Sequence, residues 1–100
     1  MFLVVWEFVV RSEKIAAFEN LYGPVGSWAT LFRKCSGFVS TSLLRDSENL
    51  QHYLTIDRWD SPAHHAGMHQ QFAAEYAALD QACEKLTESE KLVGAFEELP

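Results

Sequence analysis

The 100-residue sequence predicts an α+β fold of the ferredoxin-like kind, a four-stranded antiparallel sheet with helices on one face. Three observations lead there. Residues 2–10, 38–46, 51–59 and 91–98 alternate their side chains with the period of two that marks a strand. The stretches after the first and third of these carry apolar residues at steps of three and four, the helical period. The polar run Asp46-Ser47-Glu48-Asn49 joins the middle two strands as a hairpin. The resulting order is β-α-β-β-α-β, with the first and third strands central and residues 1–100 forming a single domain.

Each element has its own signature. In the first strand Phe2, Val4, Trp6, Phe8 and Val10 share one face, and Leu3, Val5, Glu7 and Val9 the other. A strand apolar on both faces is buried on both, and one helical layer covers only one face of a sheet. A second copy of the chain is the economical cover for the other, so a homodimer through the sheet face is expected. Ser12 is suited to cap the first helix, whose stripe is Ile15, Phe18, Leu21 and Tyr22. Gly23-Pro24 breaks that helix, and Trp28, Leu31, Phe32 and Cys35 form a second helical face over 27–34. Phe38, Ser40, Ser42 and Leu44 alternate against Val39, Thr41 and Leu43. On the return strand Tyr53, Thr55, Asp57 and Trp59 share one face, and Leu54, Ile56 and Arg58 the other.

Ser61 and Pro62 then supply an N-cap and a first-turn proline. A long helix follows from Pro62 to about Lys85, with His65, His69, Phe72, Tyr76, Leu79, Cys83 and Leu86 on its inner stripe. The last strand, 91–98, places Leu92, Gly94 and Phe96 opposite Val93 and Ala95.

Composition narrows the function. A formal charge of −6 opposes nucleic acid and anionic membrane surfaces, and no apolar run approaches the ~20 residues of a spanning helix. The opening MFLVVWEFVV carries Glu7 and no basic leader, so it reads as a strand, and a cytoplasmic location follows. Cys35 and Cys83 are then reduced, small core residues. Phosphate loops, nucleophile elbows and nucleotide fingerprints are absent.

One constellation has chemical potential, a strand-end tryptophan, Trp59, followed by His65 and His69 one helical turn apart. The histidines can be hydrogen-bonded structural groups at the start of the helix. They can line a pocket where a neutral imidazole accepts a substrate proton. As His-x-x-x-His they could chelate an ion, but no third ligand and no H-E-x-x-H glutamate is identifiable, so no metal is expected. Trp59 either plugs the end of the sheet or forms an aromatic wall, to which Trp6, Phe8, Tyr22, Trp28, Phe32 and Tyr53 could add. His52 and His64 fall outside this face, and Arg45 and Arg58 read as solvated strand ends paired with Asp46 or Asp57.

Gly37-Phe38, Tyr53-Leu54-Thr55-Ile56-Asp57-Arg58-Trp59, His69 ten residues beyond that tryptophan, and Gly94-Ala95-Phe96-Glu97 together resemble the antibiotic biosynthesis monooxygenase family. The resemblance implies a dimeric α+β barrel with a pocket between each sheet and its helices. It implies oxidation of a small aromatic or quinol by O₂ without a cofactor, with Trp59, Tyr53 and His69 binding the ring and relaying its proton. Trp6, Phe8, Tyr22, Trp28, Phe32, His65, Phe72 and Tyr76 would complete the binding surface. A related branch binds and degrades haem using a first-strand asparagine, a tryptophan ending the third strand and a histidine on the next helix. Trp59 and His69 match in spacing, but Trp6 stands at the asparagine position, which argues against haem degradation and leaves haem binding open. The remaining alternative is a non-catalytic dimeric binding protein whose pocket is filled by its own aromatics.

Overall fold

The computed structural model describes residues 1–100. Strands β1 (Phe2–Val10), β2 (Phe38–Arg45), β3 (His52–Trp59) and β4 (Thr87–Glu97) form one antiparallel sheet in the order β2-β3-β1-β4. Helices α1 (Ile15–Tyr22), α2 (Ser27–Phe32), α3 (Pro62–Gln71) and α4 (Ala73–Cys83) occupy the connections, giving the expected ferredoxin-like order with β1 and β3 central.

The core fills the space between helices and sheet. Val4, Phe8 and Val10 of β1 meet Phe18 and Tyr22 of α1, Trp28 and Phe32 of α2, and Tyr53 and Trp59 of β3. Phe18 stacks on Tyr22 at 4.2 Å, but most of the aromatics interlock at a tilt or edge-on, as where Phe8 meets Phe18 at 5.2 Å and Trp59 meets Phe38 at 5.2 Å. Such pairs favour edge-to-face contact because the ring faces carry negative charge and the edges positive. The outer face of the sheet has no helix over it. Leu3, Val5 and Val9 of β1 and Leu54 and Ile56 of β3 lie there only partly covered, with Leu44 43% and Phe96 50% exposed.

Several local expectations are corrected. Ser12 makes no side-chain cap; residues Ser12–Lys14 form a 3₁₀ turn and the α-helix begins at Ile15. The α2 helix ends at Phe32, and the helix expected from Pro62 to Lys85 is interrupted at Phe72, where φ −119° and ψ 29° leave the helical region. The two halves have different partners, α3 packing on β3 and α4 on α2, and the break lets one segment serve both. Strand β4 begins at Thr87, four residues earlier than its alternation suggests. Two bulges also change which face a side chain takes. One at Val39 brings Phe38 onto the inner face beside Trp59, and one at Val93 puts Leu92 with Ala95 instead of with Phe96. An extra residue reverses the alternation beyond it, which a strict period of two cannot anticipate.

The cap before α3 forms as expected. Ser61 Oγ accepts the His64 backbone N–H at 3.2 Å, and Pro62 occupies the first turn. Just before β2, Gly37 has φ +85°, and its carbonyl accepts the Asp60 N–H at 2.8 Å, tying the start of β2 to the end of β3. A Cβ there would collide with the side chains of Asp60 and His64.

Candidate active site between sheet and helices

A cavity of about 430 Å³ opens between the inner sheet face and helices α1 to α4. Its walls are aromatic: Trp6 and Phe8 from β1, Tyr22 from α1, Trp28 and Phe32 from α2, Trp59 from β3 and Tyr76 from α4. A pocket filled by its own aromatics, expected for a non-catalytic protein, is not what these side chains form. The volume lies in the range that takes a small ring system.

Trp59 is fully buried and wedged among Phe32, Phe38 and His65, with ring centroids 5.2 to 5.6 Å away. It thus both closes the end of the sheet and walls the cavity. The indole N–H groups of Trp59 and Trp28 are buried without a protein acceptor. Buried donors of this kind are uncommon.

The two helix histidines differ. His65 is half-buried, packed against Phe2 and Trp59, and burial with the neighbouring His69 pushes its pKa below the usual imidazole value. It is therefore neutral near pH 7. His69 sits at the rim, exposed, its ring between His65 and Tyr76 with centroids 4.8 Å from each. The inward stripe expected through His69 is shifted by one residue, since Met68 takes the buried position. No third His, Cys, Asp or Glu joins the pair in a metal-ligating group.

Other expected site residues fall outside the cavity wall. Tyr53 is buried in the core with its hydroxyl donating to Glu19, and Phe72 packs on the core edge. Arg45 lies 3.6 Å from Glu19, and Arg58 donates to Ser42 at 2.9 Å, so neither pairs with Asp46 or Asp57. Asp46 instead meets His52, whose other ring nitrogen reaches Glu7 at 2.7 Å.

Asp57 is the residue sequence reasoning undervalued. It projects from β3 into the cavity between Thr55 and Trp59, and its one side-chain hydrogen bond is accepted from Thr41. Burial raises its pKa from 3.8 to about 6, against the opposing effect of that hydrogen bond. Its signal was already in the alternation, which set it on one face with Tyr53, Thr55 and Trp59. Asp80 and Glu90 complete the polar wall, and burial beside Asp80 raises Glu90 as well. Burial is also the main reason Tyr76 is pushed up to about 12 and Tyr22 higher still. No Lys or Arg lines the cavity.

Residues 1–78 match the family described as antibiotic biosynthesis monooxygenase. The chain belongs to that family. No curated protein sequence matches it. Among solved structures it is similar to a mutant of SnoaB, a cofactor-independent oxygenase from Streptomyces nogalater, at 23% identity and TM-score 0.81, covering 97% of this chain and 91% of that one. It is also similar to a putative antibiotic biosynthesis monooxygenase from Bordetella bronchiseptica (17%, TM-score 0.80, 99% and 97% covered). A third similar structure is the corresponding protein from Deinococcus radiodurans (20%, TM-score 0.76, 100% and 94% covered). At these identities the structures share the fold of the monooxygenase family.

The cavity lining does not fit haem. It offers propionate groups no Lys or Arg, and Asp57, Asp80 and Glu90 line it instead.

Proposed function

We propose that this protein is a cofactor-independent monooxygenase that oxidises a small hydroxylated aromatic or quinol with O₂ in the cavity described above. The observation that carries this reading is the pairing of aromatic walls with proton-handling groups. Trp6, Trp28, Phe32 and Trp59 surround the space that Asp57, His65 and His69 face. The reaction needs no more than this. Removing a hydroxyl proton yields an electron-rich ring anion, which gives an electron to O₂. Recombination at a ring carbon forms a peroxide, and loss of water leaves a carbonyl, so ArH–OH plus O₂ gives a quinone plus H₂O. The protein's part is to hold the ring, favour its anion and exclude bulk water. In this reading His65 and His69, on the α3 side of the cavity, exchange protons with that anion, and Trp59 is an aromatic wall for the ring.

The family description and the SnoaB likeness support the oxygenase chemistry. The working unit we propose is a homodimer of one-domain chains, 1–100, located in the cytoplasm. A second copy would cover the outer face formed by Leu3, Val5, Val9, Leu54 and Ile56, where apolar side chains lack a partner. No helix of the chain is long and apolar enough to cross a membrane.

Oxygen consumption against a panel of quinols and anthrones, with chelator present and no flavin added, tests the reading. One O₂ consumed per quinone formed is the expected result. His69→Ala should slow it; an unchanged rate would remove His69 from proton transfer. If no member of the panel raises uptake above the spontaneous rate while rings still bind, the protein is a binding module.

A further inference from the structure

The inner sheet face carries a carboxylate that no sequence motif singled out. Asp57 stands on a central strand, at the floor of the cavity, flanked along β3 by Thr55 and Trp59. One of its oxygens accepts the Thr41 hydroxyl, and the other has no hydrogen-bonding partner in the chain. A carboxylate in an aromatic enclosure without a cation is costly unless something supplies a donor. Neighbouring strands and helices do not supply one. From α1 faces Tyr22; from α3, His65 and His69; from α4, Tyr76 and Asp80; from β4, Glu90. None of these hydrogen-bonds to Asp57, though Tyr76 is close enough to feel its charge, and β1 contributes only Val4, Trp6 and Phe8.

We infer that Asp57 is the proton acceptor for the ring hydroxyl of the bound substrate, and that the cavity takes neutral hydroxylated rings in preference to carboxylated ones. This deepens the monooxygenase reading and rests on it for the chemistry that follows. In the step itself the hydroxyl O–H bond breaks, the proton moves to the free oxygen of Asp57, and its electron pair stays on the ring oxygen as the anion. No oxidant enters until that anion meets O₂. Preference for neutral rings follows from the same wall. A ring carboxylate would share the cavity with Asp57, Asp80 and Glu90 and find no Lys or Arg. Thr41 is a positioning residue, holding one oxygen so that the other faces the cavity.

Calorimetric titration with 1-naphthol and with its 2-carboxylate, across pH 5 to 8, tests the binding half. A hydroxyl donates more strongly to a carboxylate than to a carboxyl, so naphthol should bind about fivefold to tenfold tighter at pH 8 than at pH 5. Asp57→Asn should abolish that pH dependence and narrow the discrimination against the carboxylated ring. Thr41→Val should move the transition to higher pH, because it removes the one bond that favours the ionised form. His65→Gln and His69→Ala should leave the transition in place. Naphthol affinity that is flat with pH, or an Asp57→Asn protein with the wild-type profile, overturns the assignment; so does absence of naphthol binding at every pH. Oxygen uptake separates this inference from the broader reading. Uptake that persists in Asp57→Asn with an unchanged pH profile removes Asp57 and keeps the monooxygenase. An Asp57-dependent binding profile in a protein that consumes no O₂ keeps the site assignment and removes the monooxygenase.

Discussion

Replacing Asp57 by Asn should stabilise the protein near neutral pH. Moving a carboxyl from 3.8 to about 6 disfavours its ionised form by about 3 kcal/mol. Asp57 keeps some surface open to the cavity, so an isosteric amide should recover about 1–3 kcal/mol of this at pH 7.5. The sign follows from proton linkage. The folded state holds this proton more tightly than the unfolded state, so Asp57 lowers stability progressively as pH rises from about 3.8 to about 6, and the full penalty applies above that. The advantage of Asp57→Asn should therefore be small at pH 4, grow through this window and level off. Thermal unfolding at pH 4 and 7.5 measures it, since each kcal/mol shifts Tm by about 4–8 °C in a domain of this size. A variant less stable than wild type at pH 7.5, or a gain equal at both pH values, would refute the argument that burial strains this carboxylate. Greater stability together with lost ring binding would identify Asp57 as a residue kept for function at a cost to the fold.

Three further outcomes are expected. Leu54→Asp places a charge in the middle of the outer sheet face and should convert the proposed dimer to a folded monomer by size-exclusion chromatography with light scattering; a dimer of unchanged mass would exclude this face as the interface. Met68→Ala empties a fully buried position under α3 and should lower stability by about 2–5 kcal/mol in urea titrations, with a loss below 1 kcal/mol refuting its place in the core. His52→Gln removes the group bridging Asp46 and Glu7, hydrogen bonds that raise the His52 pKa above 6.5 and help lower that of Asp46 below 3.8. A raised histidine stabilises fully below its unfolded value and loses that contribution as pH rises through the folded one, while a lowered carboxylate loses its own as pH falls. The gap between wild type and His52→Gln should thus be widest near pH 5 to 6 and shrink toward pH 8; a gap constant with pH would refute the bridge.

The strand and helix pattern was legible because burial imposes a period on each element. The alternation in 51–59 and the Ser61-Pro62 start of α3 needed no long-range information. What escaped was decided by packing between distant elements. The bend at Phe72 answers to two different partners, and the bulges at Val39 and Val93 add a residue that reverses the face of its neighbours. The site was partly legible for the same reason. Trp59, His65, Trp6 and Trp28 come together at the cavity as their spacing allowed, whereas His69 lies at its rim because Met68 turns inward. Asp57 was on the correct face from its alternation, yet a lone acidic residue beside Arg58 reads as surface charge. Only the absence of any cation at its side marks it as more than that.

The sheet order also bears on how the chain reaches this structure. Phe2 pairs with Glu97, so β1 takes as its neighbour the strand farthest from it in sequence. Until β4 emerges, β1 keeps an open edge beside apolar side chains, and the cavity lacks the wall that Glu90, Leu92 and Ala95 provide. Such sequence-distant pairing slows folding, because a long loop must close before its contacts can stabilise anything. Shortening the chain within β4 would therefore leave a partly folded intermediate with a sticky edge, prone to pairing with another copy of itself instead of to assembling its own site.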